Sequence, residues 1–408
     1  MMDARLDDYI GLRIARYRDV GRLTQRELAD AVGVSREHLS RVENGRKAVT
    51  DRRMLYAFAT ALGVSVTDLT GQPAPPRSQD DLVMYSAVPA LRGALDDDPE
   101  DDSRITASML AAEVDRAMAA RMACDYHTLA ALLPGLVMDA RRLADEDGDS
   151  GRVGLELFVR AAVCASLTIK PFGHIDLATR LGERARIAAV QLGSPASLAA
   201  ADFALAQTAL ASGTVGGRRR SLAAATRAAD QIGDVGGDEA LSWYGMLHLQ
   251  AALSAATLGR VDEAAAHHSE ATAVAARVSA DPWRMEVTPA NVGVWRVAIA
   301  LESGEPDRAP QYARAVDRTG LRTRQRLAHL HIACGRGWYQ AGKPDKAVRQ
   351  FLAADTVAPS ELRSRPSVRE IVGQMVRDAR RRGGPELRKL ALRVGVDPLD
   401  PDLDAGVV

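Results

Sequence analysis

Lysine, asparagine, cysteine and aromatic side chains are all scarce in this chain of 408 residues. Lysine occurs only at Lys47, Lys170, Lys343, Lys346 and Lys389, so arginine carries nearly all the positive charge. Aromatics make up 4% while alanine is abundant, a composition that favours tightly packed helices with small side chains at their contacts. Val and Ile rarely alternate with polar residues, which leaves a sheet little support. Cys124, Cys164 and Cys334 are odd in number, far apart and set in apolar stretches. That pattern argues against a disulfide framework and suits a reducing cytoplasm, with core packing a simpler role than redox sensing. No run reaches the ~18 apolar residues of a membrane span, and the N-terminus opens on Asp and Arg without an apolar signal core, so a cytoplasmic location is expected.

The formal net charge is zero, but the charge is segregated. From Gly21 to Leu55 eight basic residues face five acidic ones, whereas from Gln72 to Ser103 two basic residues face eight acidic ones. A basic cluster followed by an acidic stretch cancels in the total, not in space.

The basic cluster coincides with the clearest pattern in the chain. Ile10, Ile14 and Tyr17 recur at helical spacing. Thr24 can cap a helix over Gln25 to Ala31, Gly33 breaks it, and Ser35 can cap the next helix, Arg36 to Glu43. That helix stops at Asn44-Gly45. Asp51 can cap a further helix through Leu62, and Gly63-Val64-Ser65 leads into a last short turn near Leu69. With Leu28, Ala29, Val34, Leu39 and Val42 facing inward, the two short helices form a helix-turn-helix. The outward positions of the second helix are then Arg36, Glu37, Ser40 and Arg41, polar side chains able to reach base edges in a major groove. A plain solvated helix face is the alternative.

Thr24-Gln25-Arg26-Glu27-Leu28-Ala29, Gly33-Val34-Ser35, Leu39 to Arg46 and Ala61 to Ser65 together resemble the Cro/lambda-repressor (XRE-type) helix-turn-helix family. The resemblance implies a five-helix DNA-binding domain, used as a homodimer on double-stranded operator DNA. It also implies base reading by Arg36, Glu37, Ser40 and Arg41, and backbone contacts from Thr24, Gln25, Asn44, Arg46 and Lys47. Gln25 would grip a phosphate, and Arg18 with Glu43 would form a structural ion pair. Glu37 departs from the amide or basic side chains common there; it could accept from a cytosine amino group or pair with Arg36 or Arg41. The arginine bias and abundant alanine suggest a high-GC bacterial genome, as in actinobacteria.

Gly71 to Ser78 has the proline content of an extended connector. An apolar stretch from Leu82 to Leu95, interrupted by Pro89, and an acidic loop from Asp96 to Asp102 follow. From Ile105 onward, breaks near Asp125, Pro171, Gly213, Gly259, Gly304 and Gly342 recur on the order of every 40 residues, the period of a helical-pair repeat. His331, Cys334, Gly335, Trp338, Gly342, Ala347, Phe351, Ala354 and Pro359 stand at spacings that resemble a tetratricopeptide repeat. The expected fold is therefore all-α, a lambda-repressor-like head on a tetratricopeptide-like solenoid. The expected units are 1–71 for the head, 72–103 for the linker, 104–360 for the repeats and 361–408 for capping helices with an acidic tail.

By repeat spacing, a concave ligand or partner face would carry Trp243, Met246, Asn291, Trp295, His329, Arg336 and Tyr339. Buried packing competes with ligand contact for the tryptophans, and polar His329 and Arg336 need partners. Head plus repeats is similar in architecture to the peptide-sensing regulators of bacterial quorum signalling (RRNPP-type). Those hold a peptide backbone with several Asn side chains, whereas this chain has only Asn44 and Asn291. A small molecule, another protein or no ligand stay open beside a peptide.

His267-His268 and His329-x-His331 invite a metal reading, but histidines so spaced on a helix face different ways, so neither metal nor cofactor is expected. Gly213 to Arg220 lacks the Lys-Ser/Thr ending of a phosphate loop. No nucleophile arrangement or paired-carboxylate site is visible, and an enzyme is not expected. The competing class is a protein–protein scaffold whose head no longer reads DNA; retained Gln25, Arg36, Arg41 and Arg46 favour the regulator.

Overall fold

The computed structural model describes residues 9–76, 79–97, 105–379 and 384–396, and every regular element among them is a helix. Five make the head: α1 (Ile10–Val20), α2 (Gln25–Val32), α3 (Arg36–Glu43), α4 (Arg52–Leu62) and α5 (Val66–Thr70). Their starts are set locally. Thr24 accepts from the Glu27 amide and Glu27 returns the bond; Ser65 and Asp68 do the same for α5. Ser35 Oγ accepts from the His38 amide at 3.1 Å, and Asp51 Oδ1 from the Arg53 amide at 2.7 Å. Each such cap is worth about 1 kcal/mol. Gly33 ends α2 at φ +73°, a left-handed turn that glycine adopts without steric cost. Ile14, Leu28, Leu39, Val42, Phe58 and Leu69 are fully buried in the centre. At Gly11 a side chain is impossible, since a Cβ would lie 1.9 Å from the carbonyl oxygen of Val42. This close approach seats α3 on α1.

The chain then enters α6 (Gln79–Asp96), which packs on α8 (Tyr126–Ala144) and buries Met84, Val88, Leu91, Ala94 and Leu95. The stretch read from sequence as linker is thus mostly the first helix of the body. Pro89 is accommodated inside it, and its apolar stripe satisfies the periodicity that the proline seemed to interrupt. The acidic run from Asp98 to Asp102 and the tail from Asp397 lie outside the described residues.

The body alternates inner and outer helices. The inner ones are α7 (Ala107–Ala123), α9 (Gly148–Ile169), α11 (Pro195–Ala211), α13 (Asp238–Thr257), α15 (Pro289–Glu302) and α17 (Arg324–Gln340). The outer ones are α8, α10 (Ile175–Leu192), α12 (Val215–Gly233), α14 (Val261–Ala275), α16 (Ala309–Ala315) and α18 (Pro344–Val357). Each inner helix packs on the next inner helix, and α17 returns to pack on α7. The repeats therefore close into a ring. The seam is polar: Tyr126 Oη donates to Glu361 at 2.6 Å, and Arg160, reaching from α9, bonds the carbonyl of Pro282 at 3.0 Å. Alanine on α11 and α13 explains the tight spacing of the wall, where α13 is buried along almost its whole length. After α18 come α19 (Pro359–Arg363), α20 (Pro366–Ala379) and α21 (Pro385–Val394), packed with α18 around Phe351, Ile371 and Leu390. The six breaks seen in the sequence are the turns from an inner helix to its outer partner. No helix among the described residues is long and apolar enough to cross a membrane.

Candidate nucleic-acid interface and the chamber behind it

Capping at Ser35 and burial of Leu39 and Val42 fix which side of α3 faces outward. Arg36, Glu37 and Arg41 are exposed on that side and Ser40 is half-buried. Among the described residues Glu37 makes no ion pair with Arg36 or Arg41. At the end of α3 the Asn44 amide donates to Ser40 O at 2.8 Å and Ser40 Oγ at 3.2 Å. Arg46 and Lys47 are exposed in the loop that follows.

The framework beneath is ionic. Arg18 Nε and Nη2 donate to the two oxygens of buried Glu43 at 2.6 and 3.1 Å, and Gln25 Nε2 donates to Glu43 Oε2 at 2.7 Å. The Glu43 bond uses one N–H of the Gln25 amide and leaves its second N–H for another acceptor. Sequence reading missed His38: its Nδ1 lies 3.4 Å from Lys47 Nζ, tying α3 to the loop. Burial, then Lys47 and Arg41, hold His38 below its ordinary value, so near neutral pH it is uncharged and can accept from the ammonium.

The opposite side of the head is docked on the rim of the ring where inner helices end. Arg336 Nη2 donates to Thr50 O at 3.2 Å, and Gln340 Nε2 to Thr50 Oγ1 at 3.2 Å. Tyr56 Oη donates to Leu210 O at 3.2 Å beneath the guanidinium of Arg218, 5.1 Å from its ring centre. Arg52 approaches Glu302 at 3.6 Å. Farther round, the Ile10 amide donates to Glu370 at 3.1 Å, and Arg377 Nε donates to Gly45 O at 3.0 Å. The glycine-rich segment at Gly213 serves this docking: a Cβ there would strike Val66 and Tyr56.

Between head and ring lies a chamber of about 340 Å³. Trp295, His329 and Arg336 of the expected concave face line it; Trp243, Met246, Asn291 and Tyr339 do not. Trp243 instead stacks in the wall between Phe203 and Trp283, ring centres 5.7 and 5.3 Å away, and Met246 is fully buried beside it. Asn291 donates to Glu286 O at 2.8 Å near the start of α15, and Tyr339 packs in the cluster of α18, α20 and α21. For Trp243 and Met246 the reason is the packing of the wall. In a closed ring an inner helix also packs on both neighbours, so only a narrow stripe of it reaches the lumen.

His329 Nε2 lies 2.9 Å from Glu361 Oε2, and burial depresses its pKa to about 4. Burial alone would raise Glu361, but His329, Arg365 and Tyr126 outweigh it and hold the carboxyl well below the usual range. The other three histidines of the two sequence pairs also have separate partners: His267 meets His248 at 2.9 Å, His268 meets Val292 O at 3.2 Å, and His331 meets Gln350 at 2.8 Å. No group of three potential metal ligands forms among the described residues. The cysteines are free, and burial pushes the thiol pKa of each upward.

A helix-turn-helix domain family matches residues 10–70. No curated protein matches the chain. Among solved structures, the chain is similar to Bacillus thuringiensis PlcR in complex with the peptide PapR7 and DNA, with 10% identity and a TM-score of 0.32, over 82% of this chain and 99% of that one. It is also similar to ComR from Streptococcus suis, with 14% identity and a TM-score of 0.28, over 91% of this chain and 96% of that one. The chain thus carries an N-terminal helix-turn-helix domain on an all-helical body.

Proposed function

We propose that the protein is a sequence-specific, XRE-type transcription regulator whose α3 reads duplex DNA and whose tetratricopeptide-like body senses a signal. One observation carries the DNA-reading half: Arg36, Glu37 and Arg41 share an exposed face of a helix that is capped, cored and matched as helix-turn-helix. A bidentate arginine–guanine contact discriminates bases by ~1–3 kcal/mol. A surface arginine retained for stability alone is worth under ~1 kcal/mol. Arg46 and Lys47, beside α3, are placed for phosphates, which supply affinity and salt dependence rather than sequence preference.

Two heads on a two-fold operator must present their α3 helices about 34 Å apart, one turn of duplex. The chain is therefore read as acting as a homodimer. Since the rim grips each head through Thr50, Arg52 and Tyr56, a change in the ring alters how the head is held. The test is a mobility shift with full-length protein on its own promoter region and on random duplex at moderate salt. A preference for the promoter is expected, falling about tenfold or more in Arg36→Ala and in Arg41→Ala. Equal binding to both duplexes would refute the reading.

A further inference from the structure

The chamber wall is charged out of balance. Six cationic side chains line it: Arg52, Arg121, Lys170, Arg326, Arg336 and Arg365. Three carboxylates face them, Asp51, Glu302 and Glu361, and His329 is neutral at physiological pH. Glu361 is fully committed and Glu302 through one oxygen, its Oε2 being buried without a hydrogen-bond partner. Glu302 Oε1 takes Arg336 at 3.0 Å and Arg52 at 3.6 Å; Glu361 takes Arg365 at 2.9 Å as well as Tyr126 and His329. Arg121, Lys170 and Arg326 are left with neutral partners: Met285 Sδ at 3.6 Å, the Gln207 carbonyl, and Met285 O at 3.3 Å.

Helix ends account for part of this. Arg121 is in the last turn of α7 and Lys170 follows α9, where the negative end of each helix dipole attracts a cation. Arg326 is at the wrong end, in the first turn of α17, and its buried Nε has no partner. Burial, reinforced by Arg121, lowers its pKa to about 10 against the opposing pull of the more distant Glu286, Glu361 and Asp281. Poorly compensated buried charge is costly, and three such groups around one cavity, Lys170 among them with a pKa lowered to about 7, favour an anion that would restore the charge. Apolar side chains, among them Phe203, Leu253, Met285 and Trp295, form much of the remaining wall, beside polar ones such as Thr50, Gln207 and Gln325. Its volume of about 340 Å³ falls at the small end of the ~300–1,000 Å³ of small-molecule sites.

We infer that the chamber binds a small organic anion, an apolar or aromatic body bearing a carboxylate or phosphate, with Arg121, Lys170 and Arg326 as its charge partners. Gln207 positions Lys170 and is itself held by Gln250, its Nε2 donating to Gln250 Oε1 at 2.7 Å. Because Arg52 and Tyr56 of the head also line the chamber, the ligand touches head and ring at once. The inference rests on reading the body as the sensory half, and its test uses no DNA, so it can fail while the DNA reading stands.

The probes are 1-anilinonaphthalene-8-sulfonate and N-phenyl-1-naphthylamine, the same rings with and without the anionic group, titrated into full-length protein by fluorescence. The sulfonate is expected to fill one site per chain about tenfold more tightly or better than the neutral dye. Inorganic pyrophosphate or glutarate should displace it, the better competitor separating phosphate from carboxylate ligands. In Lys170→Met/Arg326→Met the preference for the anionic dye should vanish, while exposed Arg227→Met keeps it. Equal binding of the two dyes by the wild type, which requires no variant to fold, overturns the inference. So does a bound sulfonate that neither competitor displaces, or a preference that survives in the folded double variant.

Discussion

The arginines of α3 and those of the chamber are chemically the same residue under opposite constraints. Arg36 and Arg41 stand in water on a short helix whose geometry is set by its own caps and a small core. Arg326 and Arg336 are buried, their heads fixed by carbonyls and carboxylates that the ring brings together from distant parts of the sequence. An exposed guanidinium loses little by having no protein partner and is therefore available to a nucleic acid. A buried one must find compensation inside the fold or from a ligand. Where a cation sits thus separates a charge open to an outside partner from one that must be satisfied within the fold.

The comparison is broken most severely at the ring seam. Glu361 is 1% exposed and joins Tyr126, Gln325, His329 and Arg365 from both sides of the closure. Glu361→Ala strands the Arg365 charge and is expected to cost ~3–5 kcal/mol, read from the shift in the urea midpoint. Since the carboxyl is held below its ordinary value, its contribution is present above the unfolded-state pKa and is lost as pH falls through the folded one. A wild-type-like midpoint in the variant would mean the seam carries no net energy.

Lys170 gives the next largest effect. Its remaining exposed surface faces the chamber rather than bulk water, and burial with Arg365 and Arg52 pulls its pKa down to about 7. Between about pH 7 and the unfolded value the folded chain binds fewer protons here than the unfolded chain, so stability rises with pH. The slope is at most about 1.4 kcal/mol per pH unit. Subtracting the pH profile of Lys170→Met from that of the wild type isolates it. No difference between the profiles from pH 7 to 9 would place the ammonium in ordinary solvent.

The head was far more legible in the sequence than the body, for a physical reason. Caps at Thr24, Ser35 and Asp51 and the break at Gly33 act over a few residues, so α3 and the end of α4 fall where those residues put them. The Arg18–Glu43 pair followed from a motif and is formed. In the body, turns such as Gly213 and Gly342 were visible because glycine takes a left-handed conformation at both. Ring closure was not visible. Nothing near Tyr126 in sequence announces Glu361, 235 residues away. Repeat spacing gave the helical pairs but not the wall packing that turns Trp243 and Met246 away from the lumen. Lys170 and Arg326 were overlooked because a lone cation on a repeat helix reads as a surface charge until the wall closes around it. For α6 the error ran the other way: Pro89 read as a break in a helix able to hold it.

Within the head, local and functional contributions should come apart. Ser35→Ala removes the oxygen that caps α3 and is expected to cost about 1 kcal/mol of stability, detected as a lower melting temperature. Because α3 is short, DNA binding should weaken with it. An unchanged melting temperature would assign the start of α3 to tertiary packing instead.

The smallest expected effect on stability is the sharpest test of the contrast. Arg36→Met and Arg41→Met remove charge while retaining long side chains on an exposed face. Neither guanidinium is fixed by a carboxylate as Arg18 is by Glu43. Each should leave stability within ~0.5 kcal/mol of wild type, the usual range for surface substitutions. The same pair should lose promoter binding, because methionine cannot donate two hydrogen bonds to a guanine. Arg326→Met, the matching change inside the chamber, should do the reverse. Replacing a poorly compensated buried cation by an apolar chain of similar length is neutral or stabilising, and it leaves α3 untouched. If Arg36→Met destabilised the head as much as loss of the Ser35 cap, the α3 arginines would be structural, and exposure alone would no longer mark the residues that meet DNA.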